Sequence, residues 1–199
     1  VPPSSSASPD PDGRLLVVSG PSGVGKSSVV HGVLARTGAR FSVSVTTRAP
    51  RVGEREGIEY HFVDDETFDR LLEEGALLEW AEYGGHRYGT LRAEVDDRLA
   101  AGEDVVLDIE NEGARQIREL RPDAILVFLL PPSREDLEER LRARGDTDPE
   151  DVARRLAVAD RQIAEASEIY DHLVVNADLG HAIAQVVSIL ERAGRDQQA

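Results

Sequence analysis

The segment Gly20-Pro21-Ser22-Gly23-Val24-Gly25-Lys26-Ser27 combines residue types and spacing that imply chemistry. It satisfies G-x-x-x-x-G-K-[ST] and lies between an apolar run, Arg14 to Ser19, and a helical segment beginning near Ser28. Glycines at 20, 23 and 25 let backbone N–H groups wrap an anion at a helix N-terminus, whose dipole adds partial positive charge. The motif assigns Lys26 to the β- and γ-phosphates of a nucleoside triphosphate and the Ser27 hydroxyl to Mg²⁺. Gly20, Pro21, Ser22, Gly23, Val24, Gly25, Lys26, Ser27 and Ser28 are therefore the expected ATP- or GTP-binding residues. Such a loop specifies which phosphates are held, not what receives them.

The acceptor is addressed by a second stretch, Ser42-Val43-Ser44-Val45-Thr46-Thr47-Arg48-Ala49-Pro50-Arg51-Val52-Gly53-Glu54-Arg55-Glu56-Gly57-Ile58-Glu59-Tyr60-His61-Phe62, together with Glu79-Trp80 and Tyr88-Gly89-Thr90. These residues closely resemble the guanylate kinase family, P-loop nucleoside monophosphate kinases that phosphorylate GMP with ATP, and the likeness runs from about Leu15 to Leu190. The resemblance implies that Arg48 and Arg51 hold the acceptor phosphate, with Tyr60 and Tyr88 as hydroxyl donors. It implies that Ser44, Glu79, Thr90 and Glu110 read guanine, of GMP or dGMP. It also makes Arg140, Arg144 and Arg155 catalytic lid arginines beside Lys26, and places Asn176 near the adenine end of ATP. The chemistry suits each role. Guanidinium forks match a dianionic phosphate, and a carboxylate accepts from the guanine N1–H and N2–H₂, which adenine lacks. Asp136 and Arg140 also have the spacing of a surface ion pair.

Asp108-Ile109-Glu110-Asn111-Glu112-Gly113-Ala114 departs from the family pattern, which has Asp at the third place and Gln at the fifth. Glu110 keeps a carboxylate with an added methylene, and Glu112 replaces an amide with a charge; both bear on guanine selectivity more than on reaction type. Asp108 is the candidate to hold Mg²⁺ through water. Two alternatives to the kinase reading are a guanylate-kinase-like binding module and a related kinase for another phosphorylated acceptor. Intact Lys26, Ser27, Arg48 and Arg51 argue against the first, and Ser44, Glu79 and Thr90 argue for a purine base.

These side chains need a frame, and the hydrophobic pattern predicts an α/β fold with a mainly parallel sheet, in the P-loop kinase arrangement. Candidate strands are Arg14 to Ser19, Phe41 to Val45, Asp104 to Ile109, Ala124 to Leu130 and His172 to Val175. Helical stripes follow Pro132, with Ser133 as N-cap, run from Val152 to Ala166, and begin near Asp178, where Leu179, Ile183, Val186 and Leu190 are expected to be buried. Residues 43–91 read as a small α+β insert. In it Ile58, Tyr60 and Phe62 alternate as a half-buried antiparallel strand, Phe68, Leu71 and Leu72 mark a short helix ending at Gly75, and Ala76 to Tyr83 is β-prone. Residues 133–160 form the expected lid, broken at Arg144 to Pro149. One domain over 14–195 is expected, after a disordered Pro- and Ser-rich tail over 1–13 that lacks a secretory pattern.

The formal net charge is −15, and of 23 basic residues only Lys26 is a lysine. An acidic chain is a poor binder of nucleic acid polymers, but a locally basic site still takes a small anion. Without cysteine, disulfides and thiolate chemistry are excluded, and the histidines show no metal-ligand spacing. The longest apolar run, Ala124 to Leu130, is far short of the ~20 residues of a membrane span. The expectation is a soluble cytoplasmic protein, a monomer or homodimer, with Mg²⁺ accompanying ATP.

Overall fold

Strand β1 (Leu15–Ser19) is buried along its whole length because it lies in the middle of a five-stranded sheet of order β2-β7-β1-β8-β9. The computed structural model that shows this describes residues 13–143 and 148–196. Around β1 run β2 (Arg40–Phe41), β7 (Val105–Asp108), β8 (Ile125–Leu130) and β9 (His172–Val175), all paired in parallel. A parallel sheet needs cover on both faces, and the alternation in β1 supplies it. Leu16 and Val18 enter one core with Val29, Val30 and Val33 of α1 (Lys26–Thr37) and Val186 and Leu190 of α7 (Leu179–Asp196). Leu15 and Val17 enter the other with Val95 of α3 (Arg92–Ala100), Ile117 of α4 (Asn111–Leu120) and Ala166 of α6 (Pro149–Ile169). Each Val, Leu or Ile side chain among these contributes roughly 1.5–3 kcal/mol on burial. The C-terminal edge of this sheet gathers Ser19, Asp108 and Val175, and the segments that follow them carry chemistry.

A second sheet of order β4-β3-β6-β5 comprises β4 (His61–Phe62), β3 (Val45–Thr46), β6 (His86–Leu91) and β5 (Leu77–Tyr83). With α2 (Asp65–Glu73) it has its own core of Val45, Phe68 and Leu77. Helix α2 starts where the Asp64 side chain accepts from the Thr67 N–H at 2.8 Å. Helix α5 (Arg134–Ala143) packs on α6 through Leu137, Leu141, Val152, Leu156 and Ala159. The predicted cap is present at its start, Ser133 Oγ accepting from the Asp136 N–H at 3.0 Å.

Several expectations are corrected. Phe41 to Val45 is not one strand: Arg40–Phe41 pairs with β7 in the large sheet and Val45–Thr46 with β6 in the small one. The chain changes sheets over Ser42 to Ser44, so one run of β-prone residues serves two ladders. The predicted antiparallel strand through Ile58 reduces to His61–Phe62, and it pairs in parallel with β3. Ile58 is exposed, because Gly57 at φ 71° and the Ile58 N–H on the Arg55 carbonyl make a turn there. Leu179 is exposed at the first turn of α7, where the helix has not yet reached the core. Strand β6 and helix α3 were not foreseen. Gly13, assigned to the tail, donates its N–H to the Leu99 carbonyl at 2.8 Å and belongs to the fold. The rest of the tail, and Arg144 to Thr147 of the lid, lie outside the described residues.

Candidate active site

Beyond Ser19 the chain turns through Pro21 to Val24 and enters α1 at Lys26. Gly25 is the N-cap in the left-handed region, at φ 98°, with no side-chain cap and no acid in the first turn. A Cβ there would stand 2.7 Å from Asn176 Nδ2, so position 25 needs glycine for both conformation and space. N–H groups at a helix start that has no side-chain cap and no acid in its first turn suit a phosphate.

Lys26 Nζ donates to the Gly20 carbonyl at 2.9 Å and to Glu110 Oε1 at 3.2 Å, with Asp108 Oδ1 at 3.6 Å. Burial opposes its charge, but Asp108 and Glu110 more than offset this and its pKa is raised. Burial likewise pushes the Asp108 carboxyl up, against the pull of Lys26. The other Glu110 oxygen accepts from Gln162 of α6. Glu110, expected on guanine, thus lies between Lys26 and α6.

Asn176 sits within the framework of the loop. It is buried, its Nδ2 donates to the Val24 carbonyl at 2.8 Å, and its own carbonyl accepts from Arg140 at 3.1 Å. Arg140 also reaches the Val24 carbonyl, at 3.3 Å. Arg140 therefore does not form the i,i+4 pair with Asp136, whose carboxylate takes the Ser133 hydroxyl. Asn176→Ala removes the better donor to Val24 and is expected to cost about 1 kcal/mol and to raise KM for ATP with little change for the acceptor. Thermal denaturation and initial-rate kinetics check this.

Across the cleft, Arg48 forks onto Glu54 with two contacts of 3.0 Å. Glu54 Oε2 also accepts the Arg51 N–H at 2.8 Å, which ties the two arginines together. Hydrogen bonding to Arg48 holds the Glu54 carboxyl low and in turn raises Arg48. The Arg48 guanidinium lies 5.3 Å over the Tyr60 ring, and Tyr60 meets Tyr88 edge-on at 5.8 Å. Burial, then the charge of Asp108, pushes the Tyr60 hydroxyl up, while Arg48 and Lys26 pull it down. Tyr60 is thus within electrostatic reach of both halves of the cleft. Glu54 was missed from sequence, where its only signal is an acid three residues beyond Arg51.

Glu79 of β5 is 4% exposed and accepts from the Thr90 hydroxyl of β6 at 2.5 Å, the two being register partners. Its second oxygen lies where a Cβ on Gly113 of α4 would come within 2.1 Å, so only glycine fits beneath it. Burial pushes the Glu79 carboxyl up to about 7, against the stabilising Thr90 contacts. Ser44 is half-buried next to β3, and its carbonyl accepts from the His61 N–H at 2.9 Å. On α6, Arg155 Nε pairs with Asp151 at 2.8 Å, while Arg144 lies outside the described residues. Asn111, at the start of α4, bonds the Gln162 carbonyl at 3.2 Å and accepts from the Tyr170 hydroxyl at 3.0 Å, joining α4 to α6.

A glycine loop and lysine at the C-terminal edge of a parallel sheet, faced by a separate small sheet carrying an arginine fork, defines a P-loop kinase of the α/β class. Residues 12–193 match the family model described as "Guanylate kinase". The chain is 50% identical over 181 residues to the guanylate kinase of Symbiobacterium thermophilum, covering 90% of this chain and 85% of that one. It is 51% identical over 185 residues to that of Streptomyces kasugaensis, covering 92% and 90%. The crystal structure of guanylate kinase from Anaplasma phagocytophilum superposes with a TM-score of 0.76 at 34% identity, over 92% of this chain and 86% of the other. The chain belongs to the guanylate kinase family.

Proposed function

We propose that this protein is an ATP:GMP phosphotransferase, moving the γ-phosphoryl group of ATP to GMP or dGMP to give ADP and GDP or dGDP. The observation that carries the choice of acceptor is the buried Glu79–Thr90 pair, joined along β6 to an Arg48–Tyr60–Tyr88 cluster suited to a phosphate. A site built on hydrogen bonds to a base rejects one lacking the matching donors by on the order of 10⁴-fold. In this reading Ser44, Glu79 and Thr90 face the base, and Arg48, Arg51, Tyr60 and Tyr88 take the acceptor phosphate. Glu110 acts on Lys26, and Asn176 acts by shaping the loop.

Phosphate attacking phosphate needs no general base, since the acceptor oxygen is already ionised. The task is to align two repelling anions and screen them. ATP and GMP together carry roughly −6, of which one Mg²⁺ offsets two. Lys26, Arg48, Arg51, Arg140, Arg144 and Arg155 are the cations available for the remainder, and Glu54 and Glu110 hold two of them in place. Lid closure would exclude water and limit ATP hydrolysis.

Ser27 at the first turn of α1 and Asp108 at the end of β7 are hard oxygen donors that fit Mg²⁺. No group of three or more His, Asp or Glu among the described residues could hold a metal alone, which suits an ion completed by water and phosphate oxygens. Bound there, Mg²⁺ would supply charge neutralisation on the β- and γ-phosphates. No helix among the described residues is long and apolar enough to cross a membrane, and the reading places the protein in the cytoplasm, as a monomer or homodimer.

ADP release is expected with ATP and GMP, or dGMP, only when Mg²⁺ is present, and at least 10³-fold slower, in kcat/KM, with AMP. A coupled assay comparing GMP, dGMP, IMP and AMP measures it. Absence of turnover with GMP overturns the reading, and AMP equal to GMP overturns the role given to Glu79.

A further inference from the structure

Strand β5 must present Glu79 in one setting, yet its ladder with β6 is irregular just before it. The register shifts between Leu77 and Glu79, so Glu79, paired with Thr90, is the first residue of the regular ladder and has an irregular step on its N-terminal side. The outer edge of β5 is closed by one side chain of α4. The Trp80 N–H donates to Gln116 Oε1 at 3.1 Å, and Gln116 Nε2 donates to the Trp80 carbonyl at 2.7 Å. The Gln116 amide therefore pairs with Trp80 as a neighbouring strand residue would, and holds the peptide planes on both sides of Trp80. The first of those planes joins Glu79 to Trp80.

Gly113 lies three residues before Gln116, on the same face of α4, and the Glu79 carboxylate rests against it. One turn of helix thus touches the base-reading residue at both ends, its main chain through Gln116 and its carboxylate through Gly113. We propose that Gln116 is a positioning residue for base selection, setting through Trp80 where the Glu79 carboxylate stands. This inference rests on the GMP kinase reading above. The hydrogen bonds of Gln116 go to Trp80 and the Glu112 carbonyl and not to Lys26 or the P-loop, so its influence should fall on the acceptor and spare the ATP side.

The test compares Gln116→Met, which keeps length and removes both hydrogen bonds, with Gln116→Ala and with Gln116→Glu, which keeps only the acceptor. Expected for Met and Ala are a KM for GMP raised about tenfold, kcat and KM for ATP within about twofold, a reduced preference for GMP over IMP and AMP, and melting that stays cooperative. Gln116→Glu falls between these and wild type. KM for GMP within twofold of wild type in both Met and Ala variants overturns the inference. A fall in kcat accompanied by equal rises in both KM values does so too, since that is the mark of general loosening. If the wild-type chain itself fails to phosphorylate GMP, the kinase reading falls and this inference with it. Wild-type turnover with indifferent Gln116 variants removes this inference alone.

Discussion

Lys26→Arg is expected to fold normally and to lose about 10²- to 10³-fold in kcat, the range observed when one preorganised donor to developing charge is removed. Lys26 Nζ has three oxygens within 3.6 Å, from Gly20, Asp108 and Glu110. That setting accepts a compact ammonium on a flexible stem. A guanidinium has its charge spread over a planar fork, and to keep the same contacts it must push into the space over the loop that the phosphates need. The cation between Asp108 and Glu110 is retained, so stability is expected to change little. Lys26→Met removes the cation from both acids and should lower stability as well as activity. Near wild-type turnover by Lys26→Arg would refute the argument. Stopped-flow or coupled kinetics, read beside the melting curve of each variant, separate lost chemistry from lost fold.

Glu79→Gln is expected to cost 10² to 10⁴ in kcat/KM for GMP while making the protein more stable at alkaline pH. The carboxyl is pushed from the ordinary value of 4.5 to about 7 by burial. In the unfolded chain it ionises near 4.5, so between 4.5 and 7 the native state binds the extra proton. Stability from this group is therefore full below 4.5, declines as pH rises to 7, and is flat above. The total is roughly 3 kcal/mol. The chain has 38 acidic residues, so the useful quantity is the difference between wild type and Glu79→Gln: smallest below pH 4.5 and favouring the variant at pH 8. Guanine binding works in the other direction, because its two donors need the ionised carboxylate. KM for GMP should rise towards tenfold per unit as pH falls below 7. A phosphomonoester also titrates near 6, and the Glu79→Gln variant isolates that contribution. Equal pH profiles for the two proteins, or a variant no more stable at pH 8, would count against the assignment.

Both expectations describe a site that trades stability for recognition. Glu79 is held where ionisation is costly, Lys26 where its charge is matched by two acids, and Arg48 where Glu54 shapes it before a phosphate does. Glu54 and Glu110 each cancel a cation formally, yet each fixes that cation's position. A formal count of positive charge thus overstates the site's field and understates its order.

The main elements were legible in the residues themselves. The glycine loop is local: its backbone conformation follows from glycines at fixed offsets between an apolar run and a helix. The Arg48 and Arg51 stretch is likewise contiguous, and the α/β frame follows from short branched runs alternating with helical stripes. What local pattern does not contain is pairing. Three residues, 42–44, suffice to carry the chain from one sheet to the other, and a run of alternating residues does not say whether its partner is parallel. The contacts that set the chemistry join residues far apart: Trp80 to Gln116 across 36 positions, Lys26 to Glu110 across 84, Asn176 to Val24 across 152. Which carboxylate reads a base and which steadies a lysine depends on those contacts. So does the proton affinity of Glu79, because dielectric and neighbours are properties of the packed interior. The sequence by itself determined a glycine loop and lysine whose spacing suits phosphates. Only the tertiary structure decided that Glu110 pairs with Lys26, that Asn176 bonds the Val24 carbonyl, and that α4 lies against both the Glu79 carboxylate and the Trp80 main chain.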